Sequence, residues 1–172
     1  LCEDFVRDKD AVSACVILAE IAAWAKDQGL SLYQLLQKIY VEYGFSKEKG
    51  ISVVKKGKSG AEEIEAMMKK FRENPLTEIA GSKVTYFYDY STLKGKDYAE
   101  NETVTLDMPT TSNVLQYFTE DNTKVSIRPS GTEPKIKFYC EVHSKVKSID
   151  ELPEAEKAAE EKINQIKASL GI

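Results

Sequence analysis

The chain has 172 residues, 28 acidic and 24 basic, for a net charge of −4, and 42% of it is apolar. That apolar content can bury a core in one main domain plus an additional piece. The acidic balance argues against nucleic acid or an anionic membrane as partner, since neither attracts a negative surface. No apolar run is long enough to span a bilayer and no secretory leader is recognisable, so a reducing cytoplasm is the expected compartment. Cys2, Cys15 and Cys140 have neither metal nor redox spacing; Cys15 and Cys140 lie in apolar runs and are expected to be buried thiols.

From Asp10 to Gln28 the pattern is helical and apolar on more than one face, through Val12, Val16, Ile17, Ala19, Ala23 and Trp24. Asp10 is the expected N-cap and Gly29 the residue just past the end. A helix apolar nearly all round belongs inside a larger protein, so this one is expected to expose apolar surface and drive self-association. Ser31 and Gln34 have capping-box spacing for a second helix, with Leu32, Leu35, Leu36, Ile39 and Tyr43 on one face and Gly44 at its end.

Residues 46–50, Ser-Lys-Glu-Lys-Gly, read as a charged hinge, followed by a strand from Ile51. Ser59 and Glu62 have capping-box spacing for a helix whose Ile64, Met67, Met68 and Phe71 are core filler, and Asn74-Pro75 stops it. Lys83 to Tyr90 is rich in Val, Thr, Tyr and Phe and predicts a strand. Ser91 to Glu102 is polar and reads as a hairpin or loop. Lys124 to Arg128 alternates Val125 and Ile127 inward, and Ile136, Phe138, Cys140 and Val142 do the same on a return strand. His143, the single histidine, is read as a surface residue at a strand end. A last helix starts near Pro153, with Ala155, Ala159, Ile163, Ile166 and Leu170 as its apolar stripe. The order predicts an α+β domain, helices packed on a mostly antiparallel sheet, preceded by a helical hairpin.

Between the two alternating strands lies Arg128-Pro129-Ser130-Gly131-Thr132-Glu133-Pro134-Lys135. Arg128 offers a rigid fork of donors that matches phosphate oxygens two at a time. Ser130 and Thr132 add hydroxyl donors, and Gly131 is expected to allow a tight turn in which successive N–H groups form an anion nest. Lys135 is a supporting cation. Glu133 is expected to point away, because a carboxylate beside a phosphate dianion repels it. The same residue types also make an ordinary polar turn.

The string Arg128-Pro129-Ser130-Gly131-Thr132-Glu133-Pro134-Lys135-Ile136-Lys137-Phe138-Tyr139 resembles the phosphate-binding loop of the phosphoglucomutase/phosphomannomutase (α-D-phosphohexomutase) superfamily, in its C-terminal domain. Thr111 to Phe118 looks like the short helix that precedes that loop. Arg7-Asp8-Lys9-Asp10-Ala11 is similar to the family's Arg-x-Lys-Asp-Gly stretch, with Ala11 in place of glycine. By that resemblance Lys9, otherwise a solvated lysine ahead of a helix, is a candidate substrate contact, while Arg7 and Asp10 are structural.

The resemblance implies a parent isomerase that converts hexose 1-phosphate to hexose 6-phosphate through a phosphoserine enzyme and a bisphosphate. It implies Mg2+ in that parent, with none expected on this chain, and sugar phosphate as the partner. The family's Gly-Glu-x-Ser, Thr-Ala-Ser-His-Asn and Asp-x-Asp-x-Asp loops do not occur here. The expectation is therefore a C-terminal part of a four-domain enzyme, inactive alone. Residues 1–45 would be the helical end of a preceding α/β/α domain and residues 46–172 the phosphate-binding domain, with residues 44–50 as the pivot for closure. A phosphopentomutase or phosphoglucosamine mutase, or a stand-alone anion-binding module, are the alternatives.

Overall fold

A computed structural model describes residues 9–55 and 57–172. Cys2 and Arg7 lie outside the described residues. The chain divides into two compact units, Leu1–Gly44 with Lys145–Leu152, and Phe45–Ser144 with Pro153–Ile172.

In the first unit Asp10 accepts hydrogen bonds from the N–H groups of Val12 and Ser13, at 2.9 and 3.3 Å, and so opens α1 (Ala11–Asp27). Gly29 leaves that helix at φ 68°, in the left-handed region that glycine adopts without strain. The capping box forms as spaced. Ser31 N–H donates to Gln34 Oε1 at 2.8 Å and Gln34 N–H to Ser31 Oγ at 3.2 Å, starting α2 (Leu32–Tyr43). On α1 only Ala25 is buried. Val12 and Val16 are 74% and 63% exposed, and Trp24 is 54% exposed. Cys15 is exposed with them, which corrects its reading as a buried thiol: a helix apolar all round leaves most of its residues outside once only one small residue is covered.

The second unit is α+β. Its strands are β1 (Phe45–Val54), β2 (Glu78–Ile79), β3 (Ser82–Asp89), β4 (Lys94–Asp97), β5 (Glu102–Thr105), β6 (Leu115–Thr119), β7 (Lys124–Pro129) and β8 (Lys135–Ser144). They form one antiparallel sheet in the order β1-β8-β7-β6-β3-β4-β5, with β2 paired to β3. The helices are α3 (Gly57–Glu73) and α4 (Leu152–Leu170). Inward side chains Leu115, Tyr117, Val125, Ile127, Ile136 and Phe138 are fully buried. From the helices, Ile64, Met68, Phe71, Ala159, Ile163, Ile166 and Leu170 are buried as well. Phe71 of α3 meets Phe138 edge-on with ring centroids 6.1 Å apart, and Tyr117 Oη donates to the Phe71 carbonyl at 3.0 Å. Cys140 is buried in the same layer, which pushes its thiol up to about 11.

Three local expectations are corrected. Residues 46–50 are no hinge but part of β1, paired in register with His143 to Tyr139 of β8. The lysines that suggested a solvated linker alternate onto the same side as Ile51 and Val53. Lys47 reaches Glu156 at 2.9 Å and Lys49 reaches Glu160 at 2.8 Å, both on α4. Their aliphatic stems cover apolar surface while the ammonium groups pair at the rim. Residues 111–118 are not a short helix either. They are an irregular segment leading into β6, where Leu115, Tyr117 and Thr119 turn inward with period two. Finally, α3 starts at Gly57, ahead of the expected Ser59 cap.

The turn from β6 to β7 is closed by Asp121. Burial pushes its carboxyl up, but hydrogen bonds from Lys162, Thr119 and the Thr123 N–H outweigh that and hold it well below the usual carboxylate range. A folded pKa below the unfolded one stabilises fully above about pH 4 and is lost as pH falls through the folded value. Asp121→Asn should lower stability at neutral pH by about 1 kcal/mol, a modest figure because the carboxylate is 39% exposed. The variant's urea midpoint should also fall less steeply than the wild type's on acidification below pH 4.

Candidate anion-binding site

Side chains alternate along a strand, so burying Ile127 and Phe138 obliges their neighbours Arg128 and Lys137 to face the opposite side. The β7–β8 register sets those two directly across from each other, and Pro129 across from Ile136. The hairpin tip is then closed by its own backbone. Ser130 N–H donates to the Lys135 carbonyl at 2.7 Å, and Lys135 N–H to the Glu133 carbonyl at 2.7 Å. Past the end of β1, Lys55 N–H donates to the Pro134 carbonyl at 2.9 Å, fastening the tip to a third chain segment.

An open cavity of about 460 Å³ lies against this tip, lined by Arg128, Ser130, Gly131, Thr132, Glu133 and Lys135. All five loop residues expected at a phosphate site thus border one space. Two residues that sequence reasoning passed over, Lys137 and Tyr139, border it too. Their signal was present in the alternation that turned Ile136 and Phe138 inward. Three cations and one carboxylate line the cavity of a chain whose net charge is −4. Among the described residues, Arg128 and Lys137 form no ion pair or side-chain hydrogen bond. Such a local excess of positive charge attracts anions against the field of the rest of the molecule.

The Ser130 hydroxyl oxygen accepts from the N–H groups of Thr132 and Glu133 at 3.4 and 3.3 Å, a serine turn made of long bonds. Its own proton remains for another acceptor. Glu133 does not point away from the cavity. It lines the wall and accepts a hydrogen bond from Lys135 Nζ at 2.9 Å. That bond, with the charges of Lys135 and Lys137, holds the Glu133 carboxyl below its ordinary value. A lysine two residues away across a tight turn lies within its reach, which spacing rules for strands and helices do not foresee.

Gly131 also differs from expectation. Its φ is not positive, and a Cβ built on it meets nothing within 4 Å. The turn does not need glycine for its backbone; glycine there leaves the approach to the cavity open. Lys9 belongs to the first unit, exposed one residue ahead of the Asp10 cap, whereas the loop site is built from the second unit's residues alone. Asp10 is engaged in that cap. His143 is exposed and bonded to Glu141 Oε1 at 2.8 Å. Among the described residues no three His, Cys, Asp or Glu side chains come together to hold a metal ion.

A family profile described as phosphoglucomutase/phosphomannomutase, C-terminal domain, matches residues 51–159. The phosphoglucomutase of Staphylococcus haemolyticus is 37% identical over 143 residues, covering 83% of this chain and 26% of that protein. That of Staphylococcus saprophyticus is 32% identical over 152 residues, 88% of this chain and 27% of that protein. Among solved structures, the open form of the exocytosis-sensitive phosphoprotein pp63/parafusin from Paramecium matches at 16% identity and a TM-score of 0.46, over 84% of this chain and 24% of that one. On the two sequence comparisons, the chain belongs to the phosphoglucomutase/phosphomannomutase family. It spans about a quarter of the length of the curated relatives it matches.

Because Gly131 has room around it and no left-handed φ, Gly131→Ala should change folding stability by less than about 0.5 kcal/mol. Thermal unfolding checks this; a larger loss would mean that the loop needs glycine for its conformation after all.

Proposed function

We propose that this chain supplies the substrate-phosphate clamp of a phosphohexose mutase interconverting hexose 1-phosphate and hexose 6-phosphate. The observation that carries the reading is the cationic cavity at the β7–β8 tip, within the region matched by the family's C-terminal domain. In such a reaction a phosphoserine enzyme donates its phosphoryl group to the sugar, giving a bisphosphate. The sugar then reverses, and the other phosphoryl group returns to the serine. One site must therefore hold whichever phosphate is not reacting, and binding energy spent there positions the reacting oxygen against the nucleophile.

In this reading Arg128 grips two phosphoryl oxygens with its guanidinium. Ser130 and Thr132 donate from their hydroxyls, and the Gly131 backbone lets the phosphoryl group approach. Lys135 adds charge, and Lys137 faces the same space. Lys9 is carried in the same proposal as a substrate contact of the parent enzyme. Residues 1–45 are assigned to the helical end of a preceding α/β/α domain and residues 46–172 to the phosphate-binding domain, in a cytoplasmic enzyme. With β1 paired through residues 46–50, the pivot is narrowed within residues 44–50 to Gly44, where the two units divide. The resemblance attaches Mg2+ to the parent, but the described residues offer it no donor set, so no step here passes through a metal. By itself the chain should not turn over sugar phosphate, since its sequence holds no nucleophile loop of the family's kind. We also infer that the exposed Val12, Val16 and Trp24 of α1 promote self-association, read in sedimentation as mass above the monomer.

Each charge-assisted hydrogen bond contributes about 1.5–3 kcal/mol before ordering costs, so three or four give a Kd on the order of millimolar. The test is a heteronuclear NMR titration with glucose 1-phosphate, glucose 6-phosphate and inorganic phosphate. All three should shift residues 128–137 with similar affinity, because the donors converge on the phosphoryl group. Arg128→Ala should abolish those shifts. Shifts elsewhere, or full binding by Arg128→Ala, would overturn the assignment.

A further inference from the structure

The pairing of Glu133 with Lys135 leads one step further, an inference that rests on the phosphate reading above. Lys135 Nζ donates to Glu133 Oε2 at 2.9 Å, with the carboxylate side chain 62% exposed and the ammonium side chain only 25% exposed. Glu133 is thus the solvent-facing member of a pair at the cavity wall. Of the three cations that line the cavity, Lys135 is already paired from within the loop, whereas Arg128 and Lys137 form no ion pair within 4 Å among the described residues, and Lys137 acts on Glu133 only through its charge. The backbone shows the same arrangement. The N–H groups of Thr132 and Glu133, which could face an anion, rest instead on the Ser130 oxygen through bonds of 3.4 and 3.3 Å. The loop is capped by its own acceptors.

We propose that Glu133 is an exchangeable counter-anion: it holds Lys135 while the cavity is empty, gives way to an incoming phosphoryl group, and recaptures Lys135 as that group leaves. Exposed ion pairs of this kind bias an equilibrium by about fivefold at most, so a phosphoryl group gripped by Arg128 displaces the carboxylate readily. Repulsion between the carboxylate and a phosphate dianion drives it out once the ligand is seated. The same repulsion, acting on the return, shortens the ligand's stay. That suits a site which must hold one end of a bisphosphate, release it, and then accept the other. Glu133 acts through Lys135 and is a positioning residue. It lowers affinity and speeds exchange.

The experiment is an NMR titration with inorganic phosphate of the wild type, Glu133→Gln, Lys135→Met and the double variant. The wild type should shift residues 128–137. Glu133→Gln should bind about twofold to fivefold tighter, with slower dissociation in the line shapes. In the Lys135→Met background the Glu133→Gln effect should be clearly smaller, because the exchange has lost its lysine and only direct repulsion between carboxylate and phosphate remains. If the wild type binds at the loop but Glu133→Gln binds equally or more weakly, the counter-anion role is overturned and the phosphate site stands. Tightening that persists at full size without Lys135 overturns the role in the same way. If phosphate shifts nothing at the loop of the wild type, the phosphate reading falls and this inference with it.

Discussion

The site depends on a row of fully buried side chains, Val125 and Ile127 on β7 with Ile136 and Phe138 on β8. A one-residue slip of either strand would carry its own pair of these to the open face and bring Arg128 or Lys137 into the core. Burial of that row is therefore what fixes the direction of the two cations, and no contact within the loop could do so. The helices hold the row in place, α3 through Phe71 against Phe138 and Tyr117, and α4 through Ile163 and Ile166. Ion pairs at the rim, Lys47 with Glu156 and Lys49 with Glu160, join the outer strand to α4. The tip needs little structure of its own once its two stems are set.

Charge then does what shape alone would not. The chain carries a net −4, yet Arg128, Lys135 and Lys137 gather at one end of the sheet with a single carboxylate among them. Backbone hydrogen bonds across the tip and to Lys55 order the loop on folding, which lowers the entropy an anion ligand would cost there. Glu133 pairs with one of the cations, Lys135. Under the proposed function, the loop combines directional donors with one internal competitor, a combination that suits repeated capture and release.

Much of this was legible in the residues. Period two put Ile127, Ile136 and Phe138 inward, and capping patterns set the starts of α1 and α2. The string from Arg128 to Tyr139 carried its likeness to the family, which the comparisons of the chain's sequence then placed in the same family. What escaped reading depended on partners far away in sequence or on side-chain reach. Lys47 and Lys49 looked like a hinge because their carboxylates lie 109 and 111 residues further on. Residues 111–118 resembled a short helix, whereas residues 115–119 pair with β3 and β7. Glu133 was expected to avoid the cavity on grounds of repulsion, and local attraction to Lys135 won instead. At Gly131 the residue type suggested a backbone need, whereas its φ is not positive and the space around it is open.

The most direct test of the account is a crystal structure of this chain with glucose 6-phosphate. The account predicts the phosphoryl group at the β7–β8 tip, its oxygens within about 3 Å of the Arg128 guanidinium, the Ser130 hydroxyl and a loop N–H, with Glu133 turned off Lys135. A phosphoryl group seated elsewhere on the sheet, with the tip empty and the Glu133–Lys135 pair intact, would contradict it.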